Sequence, residues 1–287
     1  TLFPYTTLFR SDSGYLFYSP EMNERAKEQW QLEAELRQAL KSDQLHLHYQ
    51  PKVSLRSGKI VGAETLIRWN QPVQGSIAPD RFVPLAEETG LIFELGSWIL
   101  EAACRQIRMW IDAGLSPLPI AVNLSARQFD AQLPDRLQST IKRHDIPCEL
   151  VKLEITESLL VRGAESVIPI MNKLVAMGFA LSLDDFGTGY SSLAYLKKFP
   201  ITTLKIDRTF VTGIPEDMND CAIAQAIVTM GKQLRQEIVA EGVETVEQME
   251  FLRDLGCDQL QGYLFSPPVS ADDFEQMVRE DRRLVQP

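Results

Sequence analysis

The stretch Leu45-His-Leu-His-Tyr-Gln-Pro-Lys-Val-Ser-Leu-Arg-Ser-Gly-Lys-Ile-Val-Gly-Ala-Glu-Thr-Leu-Ile-Arg-Trp69 decides the fold. Residues 45–50 alternate like a strand, and 59–69 read as a second strand. Only the eight residues 51–58, ending in Ser57-Gly58, separate them. A parallel crossover needs about a dozen residues or more. The first strand is therefore expected to run antiparallel to the second.

Working outward, six more short apolar runs occur at 119–123, 150–154, 179–184, 203–207, 237–241 and 257–261. Helical patterns lie between most of them: 84–114, which should hold two helices because Gly90 and Gly96 fall inside it, then 133–144, 163–177 with Pro169 as an interruption, 193–199, 220–234 and 246–255. Gly114, Gly178 and Gly256 sit where helix C-caps belong. Strand, helix, strand at this spacing means right-handed βαβ units and a mainly parallel sheet. Eight strands in about 250 residues fit an α/β protein of the closed (β/α)8, TIM-type class. The antiparallel first strand makes it a modified barrel.

Upstream, 21–41 contains neither Pro nor Gly, and Trp30, Leu32, Leu36, Ala39 and Leu40 form a helical stripe. This reads as a linker helix feeding a domain that begins near residue 32 and runs to 287. Residues 1–11 (TLFPYTTLFRS) share no pattern with the rest of the chain and read as a cloning or assembly scar.

Composition narrows the function. The chain has 287 residues, 45% hydrophobic and 24% charged, which excludes a disordered or fibrous protein. No apolar run reaches the length of a membrane span. A net charge of −10 argues against DNA or RNA binding driven by counterion release. The four cysteines (Cys104, Cys148, Cys221, Cys257) form no C-x-x-C pair, which suits a reducing, cytoplasmic compartment. The three histidines show no zinc spacing.

The chemistry collects at the strand ends. In such a barrel the C-terminal ends of the strands face one mouth, where active sites sit. Those ends carry Glu64, Asn123, Glu154, Asp184 with Asp185, Lys205, Glu241 and Gln261. One acidic residue after a strand is usually a helix cap. Six successive strands ending this way are not explained so. Five carboxylates repel unless cations offset them, and hard oxygen donors select Mg²⁺ or Mn²⁺, with Ca²⁺ as an unreactive substitute. Adjacent Asp184 and Asp185 suit a pair of ions, one carboxylate bridging both. Two such ions about 3.5–4 Å apart are the usual apparatus for hydrolysing phosphate esters. Lys205 reads either as a group that orients or acidifies water or as a buried ion-pair lysine. The loop 184–193 (DDFGTGYSSL) lacks EF-hand spacing and reads as a gate bearing Asp185. Glu157 is either its pin, through Thr188 or Ser191, or a surface cap.

Taken together, Gln50-Pro51, Glu64-Thr-Leu66-Ile-Arg68-Trp69, Asn123-Leu-Ser125, Glu154-Ile-Thr-Glu157-Ser, Asp184-Asp-Phe-Gly-Thr-Gly, Leu204-Lys-Ile-Asp207, Glu241-Gly-Val-Glu244 and Gln261-Gly-Tyr-Leu-Phe-Ser-Pro-Pro268 resemble the EAL-domain family of bacterial cyclic di-GMP phosphodiesterases. The likeness covers about residues 32–282. It implies a (β/α)8 barrel with an antiparallel first strand, and cleavage of cyclic di-GMP to linear pGpG by two-metal activation of water. It implies that Glu64, Asn123, Glu154 and Asp184 hold one ion, with Asp184 bridging, and that Asp185 and Glu241 serve the second. Glu241 would be the general base, with Lys205 and Gln261 positioning the attacking water. Gln50, Leu66, Arg68 and Asp207 would contact substrate, Arg68 alternatively forming a salt bridge to a neighbouring acid. Glu157 and Glu244 would support the Asp185 loop and the Glu241 strand end. Homodimerisation is a further implication.

Two features qualify the resemblance. The family's Glu-Ala-Leu reads Glu64-Thr65-Leu66 here. Thr65 should point away from Glu64 along the strand, and its hydroxyl needs a partner if buried. Tyr15-Leu-Phe-Tyr-Ser-Pro-Glu-Met-Asn23 resembles the tail of a GGDEF domain, so 12–31 is expected to be the tail and linker of such a domain. The competing functions are a receptor that binds cyclic di-GMP without cutting it, and an unrelated Mg²⁺ barrel of the enolase type. The filled set of rim positions argues against the first, and the absence of a suitable Lys or His base pair against the second.

Overall fold

The computed structural model describes residues 9–11, 14–16, 20–157, 159, 164–187 and 196–284. A short antiparallel hairpin, β1 (Phe9–Ser11) and β2 (Gly14–Leu16), precedes helix α1 (Pro20–Ala39). The buried core begins at Leu32 and takes in Leu36 and Ala39 of α1. Trp30 lies off that face and is 77% exposed, so the expected stripe begins at Leu32.

Eight strands then close a barrel: β3 (Leu45–Ser54), β4 (Ile60–Gln71), β6 (Ile120–Leu124), β7 (Val151–Thr156), β8 (Ala180–Phe186), β9 (Thr203–Ile206), β10 (Glu237–Ala240) and β11 (Gln259–Leu260). Their order around the sheet is β3-β11-β10-β9-β8-β7-β6-β4, and β3–β4 pairing seals the ring. Strand β3 is antiparallel to both β4 and β11, whereas the other contacts within the ring are parallel. The short 51–58 interval thus has the consequence expected of it. The extra strand β5 (Gly75–Ile77) adds to β4 outside the ring. Three residues are too few for an alternation pattern to reveal it.

Helices α2 (Pro79–Thr89), α3 (Ile92–Asp112), α4 (Leu133–His144), α5 (Ala164–Ala176), α6 (Met218–Gln233), α7 (Val246–Leu255) and α8 (Ala271–Arg279) cover the ring. The break inside 84–114 falls at Gly90, where φ is 81°. Gly96 lies inside α3, because a Cβ there would sit 1.8 Å from Nε2 of Gln128. Helix α2 starts at Pro79, five residues before the expected 84, since proline suits a first helical turn. Helix α8 escaped the sequence reading. Its Phe274 is buried against Trp110, with ring centroids 5.2 Å apart, and Trp110 packs on Tyr49 of β3 at 4.9 Å. Burying such a ring contributes about 1.5–3 kcal/mol. Among the described residues, no helix is long and apolar enough to cross a membrane.

The barrel interior is unusually polar for its class, which normally packs branched apolar side chains. Near the N-terminal end, Glu237 accepts hydrogen bonds from Lys152 at 3.3 Å and Gln259 at 2.5 Å. The acidic site lies toward the other end.

Candidate active site

Each candidate side chain lies on a barrel strand or directly after one. Glu64 is opposite Gln50 in the antiparallel β3–β4 pair. Asn123 is level with Glu154 across β6–β7. Asp184 closes β8, Lys205 lies on β9, and Glu241 and Gln261 come directly after β10 and β11. The loops beyond are held by their own caps. Ser125, two residues after Asn123, forms a reciprocal capping box with Gln128, and Thr245 does the same with Gln248 at the start of α7.

Lys205 is the hub. Its side chain is fully buried, and Nζ lies 3.2 Å from Glu64 Oε2, 2.7 Å from Glu154 Oε2, 3.0 Å from Asp184 Oδ2 and 2.5 Å from Glu241 Oε1. Burial opposes its charge, but Glu154, Glu241, Glu64 and Asp184 raise it well above the ordinary lysine range. In this arrangement Lys205 is a buried ion-pair lysine, one of the two roles its sequence context allows. The amide of Asn123 donates to Glu64 Oε1 at 2.7 Å. That of Gln261 donates to Glu64 Oε2 at 2.8 Å and to Gln50 Oε1 at 2.9 Å.

Asp184 and Asp185 are consecutive, so strand alternation should send them to opposite faces. Both reach the site. The β8–β9 register shifts between Leu183 and Phe186, and Asp185 has a φ of 53°. This left-handed conformation costs a side-chain-bearing residue about 1 kcal/mol, least for Asp and Asn. The Asp185 N–H donates to Asp184 Oδ1 at 2.9 Å. Two carboxylate triads result, Glu64–Glu154–Asp184 and Asp184–Asp185–Glu241, each with ligand atoms within 4.8 Å of one another. They share Asp184.

With every carboxylate ionised, the site sets five negative charges against two lysines, Lys205 and Lys52, and three are left uncompensated. Burial pushes the Glu241 carboxyl up to about 8 and Asp184 up to about 6, with the neighbouring carboxylates adding to the rise and Lys205 opposing it. Burial also pushes Asp185 up, helped by the facing Asp207. For Glu64 burial acts in the same sense, but Lys205, Lys52 and the two amides outweigh it and hold the carboxyl at about 2. The buried Oε1 of Gln261 has no hydrogen-bond partner. Excess buried negative charge, hard oxygen donors and an unused acceptor fit the binding of divalent metal.

The remaining predicted residues fall around this centre. Leu66 and Arg68 lie beyond Glu64 on β4, half-buried. Arg68 donates to the carbonyl of Ile67 at 2.9 Å and forms no ion pair among the described residues. Asp207 caps the next turn through the Thr209 N–H at 2.9 Å. Glu157 Oε2 accepts the Gly187 N–H at 3.1 Å, which ties it to the segment carrying Asp185. Thr188 and Ser191, its expected partners, lie outside the described residues, as do 188–193 of the expected gate and 193–195 of the helix expected at 193–199. Glu244 is not drawn in: its side chain is exposed, and its N–H donates to Gln248 in the α7 cap. Thr65 finds its partner in the Ala121 carbonyl, 2.8 Å away.

Sequence reasoning missed Lys52. It pairs with Oε1 of Glu154, with side-chain exposures of 7% and 0%. The available signal was its two-residue spacing from Gln50, which puts both on one strand face. Ending the first strand at Gln50 hid it, whereas β3 continues to Ser54.

The description "EAL domain" matches residues 33–268 of this chain. The chain belongs to the EAL domain family. This EAL domain is 50% identical over 261 residues to the bifunctional diguanylate cyclase/cyclic di-GMP phosphodiesterase MucR of Pseudomonas aeruginosa, covering 91% of the chain and 38% of MucR. It is 38% identical over 279 residues to the cyclic di-GMP phosphodiesterase PdeR of Escherichia coli, covering 96% of the chain and 42% of PdeR. Among solved structures, the PaMucR phosphodiesterase in complex with c-di-GMP superposes with a TM-score of 0.82 at 50% identity, covering 85% of this EAL domain and 99% of that chain. The chain spans about a third of the length of curated relatives such as MucR and NbdA.

Proposed function

We propose that this EAL domain hydrolyses cyclic di-GMP to linear pGpG. The observation that carries the reading is the pair of acidic triads joined through Asp184. The names of MucR and PdeR, and the c-di-GMP complex of the MucR domain, support the substrate. Glu64, Asn123, Glu154 and Asp184 would hold one cation, and Asp184, Asp185 and Glu241 the second. Mg²⁺ or Mn²⁺ would serve, and Ca²⁺ would inhibit. When bound, the cations supply Lewis acidity at the scissile phosphate and favour ionisation of water.

The chain's own groups do the rest. Glu241 is the general base: its carboxylate accepts the proton that the attacking water gives up as the new P–O bond forms. The raised affinity of this carboxyl for a proton suits the task. Gln261 Oε1, which has no partner, accepts a hydrogen bond from that water and aims it. The Lys205 ammonium stabilises negative charge that develops on phosphate oxygen. Arg68, free of carboxylate partners among the described residues, pairs with a non-bridging phosphate oxygen. Gln50, Leu66 and Asp207 line the approach. The P–O3′ bond breaks, the 3′ oxygen leaves as a hydroxyl with a proton from solvent, and Glu241 gives its own proton back to solvent. Glu157 steadies the Asp185 segment through Gly187.

The same proposal takes the domain to be one part of a longer cytoplasmic signalling protein, with 12–31 as the tail of a preceding GGDEF-like domain, and to act as a homodimer. Purified protein incubated with cyclic di-GMP and Mg²⁺ or Mn²⁺ should accumulate pGpG. A chelator should abolish the product, and Glu241→Gln should lose it. Wild-type protein that binds the dinucleotide yet leaves it uncut with either metal would replace the enzyme reading with the receptor reading.

A further inference from the structure

Glu154 is gripped from two sides. Its Oε2 faces Lys205 at 2.7 Å, and its Oε1 pairs with Lys52. The two lysines are not equivalent. Lys205 is shared among four carboxylates, whereas Lys52 forms an ion pair with Glu154 alone among the described acids, its charge reaching Glu64 only at longer range. Lys205 lies on β9 within the ring of strand ends, where cations and substrate would gather. Lys52 lies two residues beyond Gln50 on the antiparallel strand, which places it toward the N-terminal end of β4, opposite Gly62. Cations entering from the mouth would compete with Lys205 for carboxylate oxygens. They would leave Lys52 in place behind Glu154.

We propose that Lys52 is a fixed counter-charge that weakens the grip of the acidic site on divalent cations and strengthens its attraction for the phosphodiester anion. The inference rests on the phosphodiesterase reading above. The charge balance carries it. Five carboxylates, two lysines and two divalent cations give a net charge of plus one, which a single phosphodiester neutralises. Without Lys52 the loaded site is neutral, and the anion loses its electrostatic pull. The cations, meanwhile, lose a buried like charge at close range, where screening is weak. Lys52 also occupies one oxygen of Glu154, leaving a single oxygen to offer a cation. Lys52 is thus a positioning residue that acts through Glu154 and touches no reacting atom.

The test is a titration of chelator-stripped protein with Mn²⁺, monitored by electron paramagnetic resonance of the free ion with no substrate present. The Michaelis constant for cyclic di-GMP at saturating Mn²⁺ is measured in parallel. Lys52→Met should bind Mn²⁺ roughly tenfold more tightly and show a raised KM, with the change falling on KM more than on kcat. Lys52→Arg, which keeps the charge, should return both values toward wild type. If Lys52→Met fails to fold, Lys52→Gln, which keeps a hydrogen bond without the charge, should show the same pair of shifts. Mn²⁺ affinity that is unchanged or weaker in the uncharged variants overturns the inference. Wild-type protein that binds no Mn²⁺ and cleaves nothing overturns the phosphodiesterase reading with it. Wild-type protein that does both, matched by Lys52→Met, removes only the role of Lys52.

Discussion

Asp184 and Asp185 are bonded neighbours whose carboxylates serve the same cluster, because the strand ends in a register shift and Asp185 turns to a φ of 53°. The backbone, and not side-chain length, brings the second carboxylate round. Asparagine tolerates the same left-handed conformation, so Asp185→Asn removes the charge while sparing the turn. The variant should melt within about 2 °C of wild type, as expected of a change of roughly 0.5 kcal/mol or less. Its Mn²⁺ stoichiometry should fall from two to one, and cleavage should drop by about a hundredfold or more. Two ions retained in Asp185→Asn, counted by equilibrium dialysis, would remove Asp185 from the second site.

The metal-free site should exchange protons for cations. With Glu241 raised to about 8 and Asp184 to about 6, the site near neutral pH carries protons that a cation must expel. Apparent Mg²⁺ or Mn²⁺ affinity is therefore expected to rise as pH climbs from 6 to 8. Calorimetric titration at pH 7 in two buffers of different ionisation enthalpy should show about one proton released. Stability depends on the same groups. A carboxyl raised on folding contributes fully below its unfolded value near 4.5, and that contribution is lost as pH rises through 8. Glu64, held at about 2, works in the opposite sense: its contribution is present above 4.5 and fades as pH falls toward 2. Chelator-treated protein should thus melt progressively lower from pH 5 to pH 9, and saturating Mg²⁺ should flatten the slope. Equal heats in both buffers would mean that the carboxylates are ionised before metal arrives.

Thr65 tests how much the family's middle residue matters. Its hydroxyl donates to the Ala121 carbonyl and its side chain faces away from the cluster that Glu64 joins. Thr65→Ala restores the Glu-Ala-Leu motif and removes one buried hydrogen bond. Urea denaturation should register a change of about 1 kcal/mol, with kcat within about twofold of wild type. A tenfold change in kcat would mean that the β4–β6 contact sets the position of Glu64.

Much of this site was legible in the chain because its residues lie on or just after consecutive strands, and strand runs are a local signal. Glu64, Asn123, Glu154, Asp184, Lys205, Glu241 and Gln261 could be placed on one rim by counting. The antiparallel β3 came from the length of one connection, a constraint of geometry that needs no knowledge of distant contacts. Glu244 was less legible, because an acidic residue just outside a helix serves a cap or a site equally well, and here its backbone joins the α7 cap. Helix α8 escaped because its stability comes from Phe274 lodging against Trp110, more than 160 residues earlier.

By itself the sequence determined the class of barrel, the direction of its first strand and the roster of oxygen donors, since period, run length and loop length are properties of neighbouring residues. The tertiary structure decided which of those donors meet and what offsets their charge. Lys52 and Glu154 are 102 positions apart, and Lys205 and Glu64 are 141 apart, so no local pattern pairs them. Only closure of the ring, with β3 sealing against β4 and β11, brings two lysines and five carboxylates into one buried space. There the low polarisability of the surroundings makes each uncompensated charge costly.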